Sequence, residues 1–170
     1  MNFRQRLWAV LLISSLLVLV SPTKARAASA PWTWPLDPRP AVEHPFVRPA
    51  AAWTAGHRGV DLMPRTGSAE PVIVRAVDEG VVSHAGVIAG VPTMTVTHRS
   101  GLRSTYQPVV ASIGEGASVA RGAVIGHLAA EGSHCAPAAC LHLGAIGGST
   151  YINPLLLLRP VRIILLPLDP

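Results

Sequence analysis

Lysine is almost missing from this chain: of 170 residues only Lys24 carries an ammonium side chain. The formal charge of +5 and the pI near 10.2 would suit a nucleic-acid or membrane-surface binder. However, Arg4, Arg6, Lys24 and Arg26 all lie in residues 1–27, which read as a secretory signal peptide. That segment has a basic start, an apolar stretch over 7–20 and the small-x-small cleavage pattern Ala25-Arg26-Ala27. Removing those four of the 14 cations nearly balances the 9 acidic residues, leaving a net charge of about +1. No basic patch remains to neutralise a phosphate backbone, which excludes nucleic acid as a partner. Long apolar runs are missing too, since none reaches the roughly 20 residues of a spanning helix. Stable membrane insertion after cleavage is therefore not expected, and the mature protein is expected outside the cytoplasm. Cysteine is scarce, and in an exported chain the two present, Cys135 and Cys140, are expected to pair.

A helical period is the last absence, for no window of about ten residues carries apolar side chains at 3.6-residue spacing. Residues 28–50 instead hold prolines 31, 35, 38, 40, 45 and 49, which exclude helix and favour an extended or polyproline-like arm. Trp32 and Trp34, two apart, share one side of such a segment and are expected to staple it to the domain surface. From residue 71 the chain reads as short strands, over 72–77, 81–86, 92–98, 102–106, within 117–128, and over 141–146. Turns such as Asp78-Glu79-Gly80 and Ser100-Gly101 separate them. The pattern predicts an all-β domain with a compact antiparallel sheet or sandwich core, and few or no helices after the signal peptide. The domain is placed at 51–158. Asn153-Pro154 breaks the chain, and the tail 159–170 carries a candidate last strand at 161–166.

The chemistry sits in Gly56-His57-Arg58-Gly59-Val60-Asp61 and in Cys140-Leu141-His142. Glycines 56 and 59 with Pro64 put His57 and Asp61 on a loop entering a strand. Two imidazoles and a carboxylate are the ligand set of an open zinc site. Taken alone, His57 with Asp61 reads equally well as a hydrogen-bonded pair, and His142, between Leu141 and Leu143, as a core histidine. Histidines 44, 84, 98, 127 and 134 have no partner that the sequence identifies.

His57-x-x-x-Asp61, the β-rich middle, Thr105-Tyr106 and the strand ending in His142 resemble the lysostaphin-type (LytM-like) zinc metallopeptidases. These are secreted enzymes that cut peptide bonds in bacterial cell-wall peptidoglycan, and the resemblance runs from about Trp53 to Leu157. It implies one Zn2+ held by His57, Asp61 and His142, a surface groove carrying the metal, and a bacterial envelope location. Family members carry two assisting histidines, and here their positions hold Gln107 and Cys140. Gln107 can donate an amide hydrogen bond to a developing oxyanion but cannot act as a base. Cys140 has three fates: a disulfide with Cys135, a fourth zinc ligand, or a free thiol. Export and proximity favour the disulfide. His134, beside Cys135, is a candidate substitute base.

The reading that results is a secreted zinc metalloendopeptidase acting on peptidoglycan peptides. The alternative is a catalytically impaired zinc-binding wall protein that binds peptidoglycan or regulates a partner cell-wall hydrolase. An unrelated secreted β-sandwich binding module would make the ligand spacing coincidental.

Overall fold

A computed structural model describes residues 31–51, 53–65 and 71–159. The expected signal peptide, 1–27, and the expected last strand, 161–166, lie outside the described residues. Apart from one helical turn, the regular structure among the described residues is all antiparallel strand, as the missing helical period predicts. Its larger sheet has eight strands. Across it run β1 (Ala41–His44), β2 (Gly59–Met63), β10 (Leu141–Gly147), β6 (Leu102–Gln107), β5 (Val91–His98), β4 (Gly80–Ile88) and β8 (Ser118–Val119). The eighth, β11 (Thr150–Ile152), pairs with the far half of β10. A second sheet orders β3 (Ile73–Arg75), β9 (Val124–Leu128) and β7 (Val109–Ala111).

Alternation along the strands builds the core. Val60 and Leu62 of β2, Leu141, Leu143 and Ala145 of β10, Tyr106 of β6 and Met94 and Val96 of β5 are all fully buried. Residues between them point to the other face, where the functional side chains lie. Val74, Ile125 and Val109 of the small sheet belong to the same hydrophobic cluster, so the two sheets share one core. The long hairpin β4–β5 closes over Ala89-Gly90, both at positive φ (51° and 83°), the backbone of a primed two-residue turn.

The proline-rich arm carries an extended strand. Ala41–His44 pair with β2 as an edge strand, with Pro40 and Pro45 at its two ends where a missing donor costs least. Trp32 and Leu36, each 2% exposed, enter the core rather than rest on the surface. The Trp32 N–H donates to the Leu157 carbonyl, Thr33 N–H to Val77, and Arg75 N–H to Pro35. At the other end Pro154 opens one helical turn, α1 (Leu155–Leu158), whose Leu158 is buried. Among the described residues no helix is long and apolar enough to cross a membrane.

Candidate metal centre

His57, Asp61 and His142 reach one point by different routes. Asp61 is the middle residue of β2, turned away from Val60 and Leu62, and remains only 1% exposed. His142 is its direct partner across the β2–β10 ladder, so their side chains stand together on one face. His57 precedes β2 and is pinned by a two-bond bridge to Val47 (2.9 and 3.0 Å). The expected loop entering a strand holds His57, whereas Asp61 lies inside the strand itself. Gly59 is required here, because a Cβ on it would stand 2.6 Å from His142 Nε2.

One hydrogen bond sets the chemistry of the cluster. His57 Nδ1–H donates to the Pro45 carbonyl at 2.8 Å, so a neutral His57 presents a bare lone pair on Nε2. That nitrogen lies 3.1 Å from Asp61 Oδ1 and 3.0 Å from His142 Nδ1, and the latter two are 2.8 Å apart. Three electron-rich atoms at the corners of so small a triangle repel unless a proton or a cation sits among them. A divalent metal satisfies all three at once, and zinc takes nitrogen and oxygen donors at about 2.0–2.2 Å. The donor set fits the ion.

His44, which the sequence leaves unassigned, and His134, the candidate substitute base, also reach Asp61. His44 stands opposite Asp61 in the β1–β2 ladder, and its Nδ1–H donates to Oδ2 at 3.0 Å. His134 Nδ1 is 3.3 Å from Oδ1. His44 carries no local signal and comes through an edge strand in the proline arm, whereas the one hint for His134 is its place beside Cys135, in a loop folded back by a disulfide. Cross-strand pairing thus sets His44, Asp61, His142 and Gln107 in one row over β1, β2, β10 and β6.

Charge in the cluster follows from burial and neighbours. Burial alone would raise the Asp61 carboxyl. The His142 hydrogen bond and the charges of His142, His57 and His134 outweigh it and hold the group well below the usual carboxylate range. Burial pushes the His142 imidazole below its ordinary value, against the pull of Asp61, which keeps it available as a neutral donor.

The two substituted positions supply no base. Cys140 is bonded to Cys135, the pairing that export and proximity favour, so the free-thiol and thiolate-ligand alternatives fall away and no thiol is left to ligate or titrate. Gln107 is the cross-strand neighbour of His142 and offers only an amide. His98, another unassigned histidine, belongs to the core. It donates from Nδ1 to the Glu79 carbonyl (2.8 Å), is hydrogen-bonded through Nε2 to the Ser104 hydroxyl (2.8 Å) and packs against Trp32.

With this geometry in hand, likeness to known proteins can be placed. The family model described as peptidase family M23 matches residues 55–154, the span that carries the cluster. An uncharacterized protein of Mycobacterium tuberculosis is 42% identical over 155 residues, covering 89% of this chain and 61% of the relative. The chain thus spans about three-fifths of the length of the curated relatives it matches. Among solved structures, Csd3 of Helicobacter pylori aligns with a TM-score of 0.62 at 24% identity, over 80% of this chain and 37% of that one. The catalytic domain of the antimicrobial peptidase lysostaphin from Staphylococcus simulans aligns at 0.55 and 21% identity, over 68% of this chain and 90% of its own. At these identities the two structures speak for the fold.

Proposed function

The chain belongs to peptidase family M23, and from that premise we propose a secreted bacterial zinc metalloendopeptidase that hydrolyses peptide bonds in peptidoglycan. One observation carries the proposal: the triangle of His57 Nε2, Asp61 Oδ1 and His142 Nδ1, with edges of 2.8–3.1 Å. These three atoms would hold the metal. A zinc ion there would acidify water and polarise a peptide carbonyl.

The chain's own groups do the rest. The Pro45 carbonyl fixes the His57 tautomer, and Gly59 leaves room for the His142 ring beside β2. His44 binds the outer oxygen of Asp61 and so leaves Oδ1 to face the ring nitrogens. Such outer partners orient a ligand and raise its basicity. Proton transfer falls to an imidazole outside positions 107 and 140, and His44 and His134 are the two within reach of Asp61.

A second reading has its own support. The assisting positions hold a glutamine and a disulfide sulfur, and general acid–base help is worth about 10²–10⁴-fold in rate. A zinc-holding wall protein that binds peptidoglycan, or acts with a partner hydrolase, would keep the ligands and lose the base. One paired measurement separates the readings. Bound zinc is quantified in the chain from Ala28 with its disulfide formed, and soluble fragments released from purified peptidoglycan are followed. Stoichiometric zinc with release abolished in His142→Ala supports the peptidase. Zinc without release supports the binding protein, and absence of zinc sinks both.

A further inference from the structure

Four donors, not three, converge on the cluster. His57, Asp61, His134 and His142 each place one ligand atom within 4.8 Å of the others. We propose that His134 is a fourth protein ligand, so that the resting centre is closed by three imidazoles and one carboxylate. The inference rests on the metal reading above and goes beyond it, since an open site has only three protein donors.

Distances favour this role. Four donors tetrahedrally placed about 2.0–2.2 Å from zinc stand roughly 3.3–3.6 Å apart, and His134 Nδ1 is 3.3 Å from Asp61 Oδ1. The His134 ring packs as close to His142 as the His57 ring does, with centroids at 4.7 and 4.8 Å. Ring nitrogens of His57, His142 and His134 surround the single oxygen Oδ1 at 3.1, 2.8 and 3.3 Å. His57 Nε2 has no proton to donate, and one carboxylate oxygen offers only about two lone-pair directions, so hydrogen bonds alone cannot satisfy all three contacts. A cation among the four atoms resolves the conflict, because each then points at the ion.

The backbone around His134 is tied on both sides. The Ser133 hydroxyl accepts from the N–H groups of Cys135 (3.1 Å) and Cys140 (2.9 Å), and the Cys135–Cys140 bond closes the loop directly before β10. His134 is thereby presented to the cluster rather than left to sample solvent. Its side chain is 41% exposed, against 19% for His57, 11% for His142 and 2% for Asp61. Exposure makes it the ligand on the solvent side, the one that must leave before water or a peptide carbonyl can enter.

Zinc-edge X-ray absorption on the full mature chain loaded with one zinc counts imidazole ligands directly. Three are expected in the wild type and two in His134→Ala. Chelator competition should show zinc affinity lower by at least tenfold in the variant. His134→Gln, of similar bulk, guards against misfolding, and circular dichroism of both variants should match the wild type. Two imidazoles in the wild type, or unchanged affinity in folded variants, would overturn the proposal while leaving the peptidase reading intact. Three imidazoles without fragment release would support it while the peptidase reading failed. Absence of bound zinc would remove both.

Discussion

Asp61 divides its two oxygens between two tasks: Oδ2 accepts from His44, and Oδ1 faces the ring nitrogens. Residue type and the four-residue spacing made His57 and Asp61 candidates, and the family resemblance, not spacing, set His142 beside them. The sequence contains nothing that marks His44. That partner exists only because residue 44 falls opposite residue 61 in the β1–β2 register, and a one-residue slip would turn its ring to the other face. If His44 orients Asp61, then His44→Ala should weaken zinc binding by about 10–100-fold, the usual effect of losing such a partner. Competition with a chelator measures this, and unchanged affinity would reduce His44 to a surface side chain. Gly59→Ala should do more, since its methyl group meets the His142 ring and the fit of β2 to β10 together. Loss of both zinc and thermal stability is expected, read by zinc content and melting temperature.

Among the elements, β4, β5, β6 and β10 were legible as short apolar or β-branched runs between turns, with strict alternation in β5 alone. The edge strand β1 was not, because proline density masks a strand that needs donors on one side only. Buried polar pairing was equally hidden. Within β6 the Tyr106 hydroxyl accepts from the Val77 N–H at 3.0 Å and is bonded to Ser104 at 2.9 Å, which continues to His98. Burial pushes this phenol up to about 12, against the Ser104 and Val77 bonds, which pull the other way. Its ordinary value is 10.0, so the unfolded chain releases the proton first as pH rises. Tyr106 therefore contributes stability that is complete below pH 10 and lost progressively toward about 12. Denaturation midpoints should fall through that window, and Tyr106→Phe should flatten the fall. The same variant should cost about 1–3 kcal/mol at neutral pH by orphaning the Val77 N–H. The loop before β10 gives a separate test. Replacing both Cys135 and Cys140 by serine removes a closure worth about 2 kcal/mol in the chain-entropy picture. It should also lower zinc affinity, although no residue of the triad is touched.

At the scale of the whole molecule, the arm 31–50 decides whether the face carrying the His/Asp cluster is covered or merely built. An inhibitory segment lies over a finished domain, and its removal raises activity. This arm instead fills the core with Trp32 and Leu36 and binds backbone groups of α1 and β3. It also supplies the edge strand β1 and the Pro45 carbonyl that sets the His57 tautomer. The proline count and the Trp-x-Trp pattern revealed a stapled, extended segment. They could not reveal depth, because burial of Trp32 depends on the distant residues that surround it, including His98. Trp32→Ala should cost about 3–5 kcal/mol, the usual range for truncating a buried aromatic. That is a large share of the roughly 5–15 kcal/mol that stabilises a domain. A chain beginning at Arg48 would lose Trp32, Leu36, β1, His44 and the Pro45 carbonyl at once. It should fail to reach a cooperative folded state by calorimetry and fail to hold zinc. A truncated chain that melts cooperatively, binds zinc and releases peptidoglycan fragments faster than the full mature chain would show the arm to be a cover, not a wall.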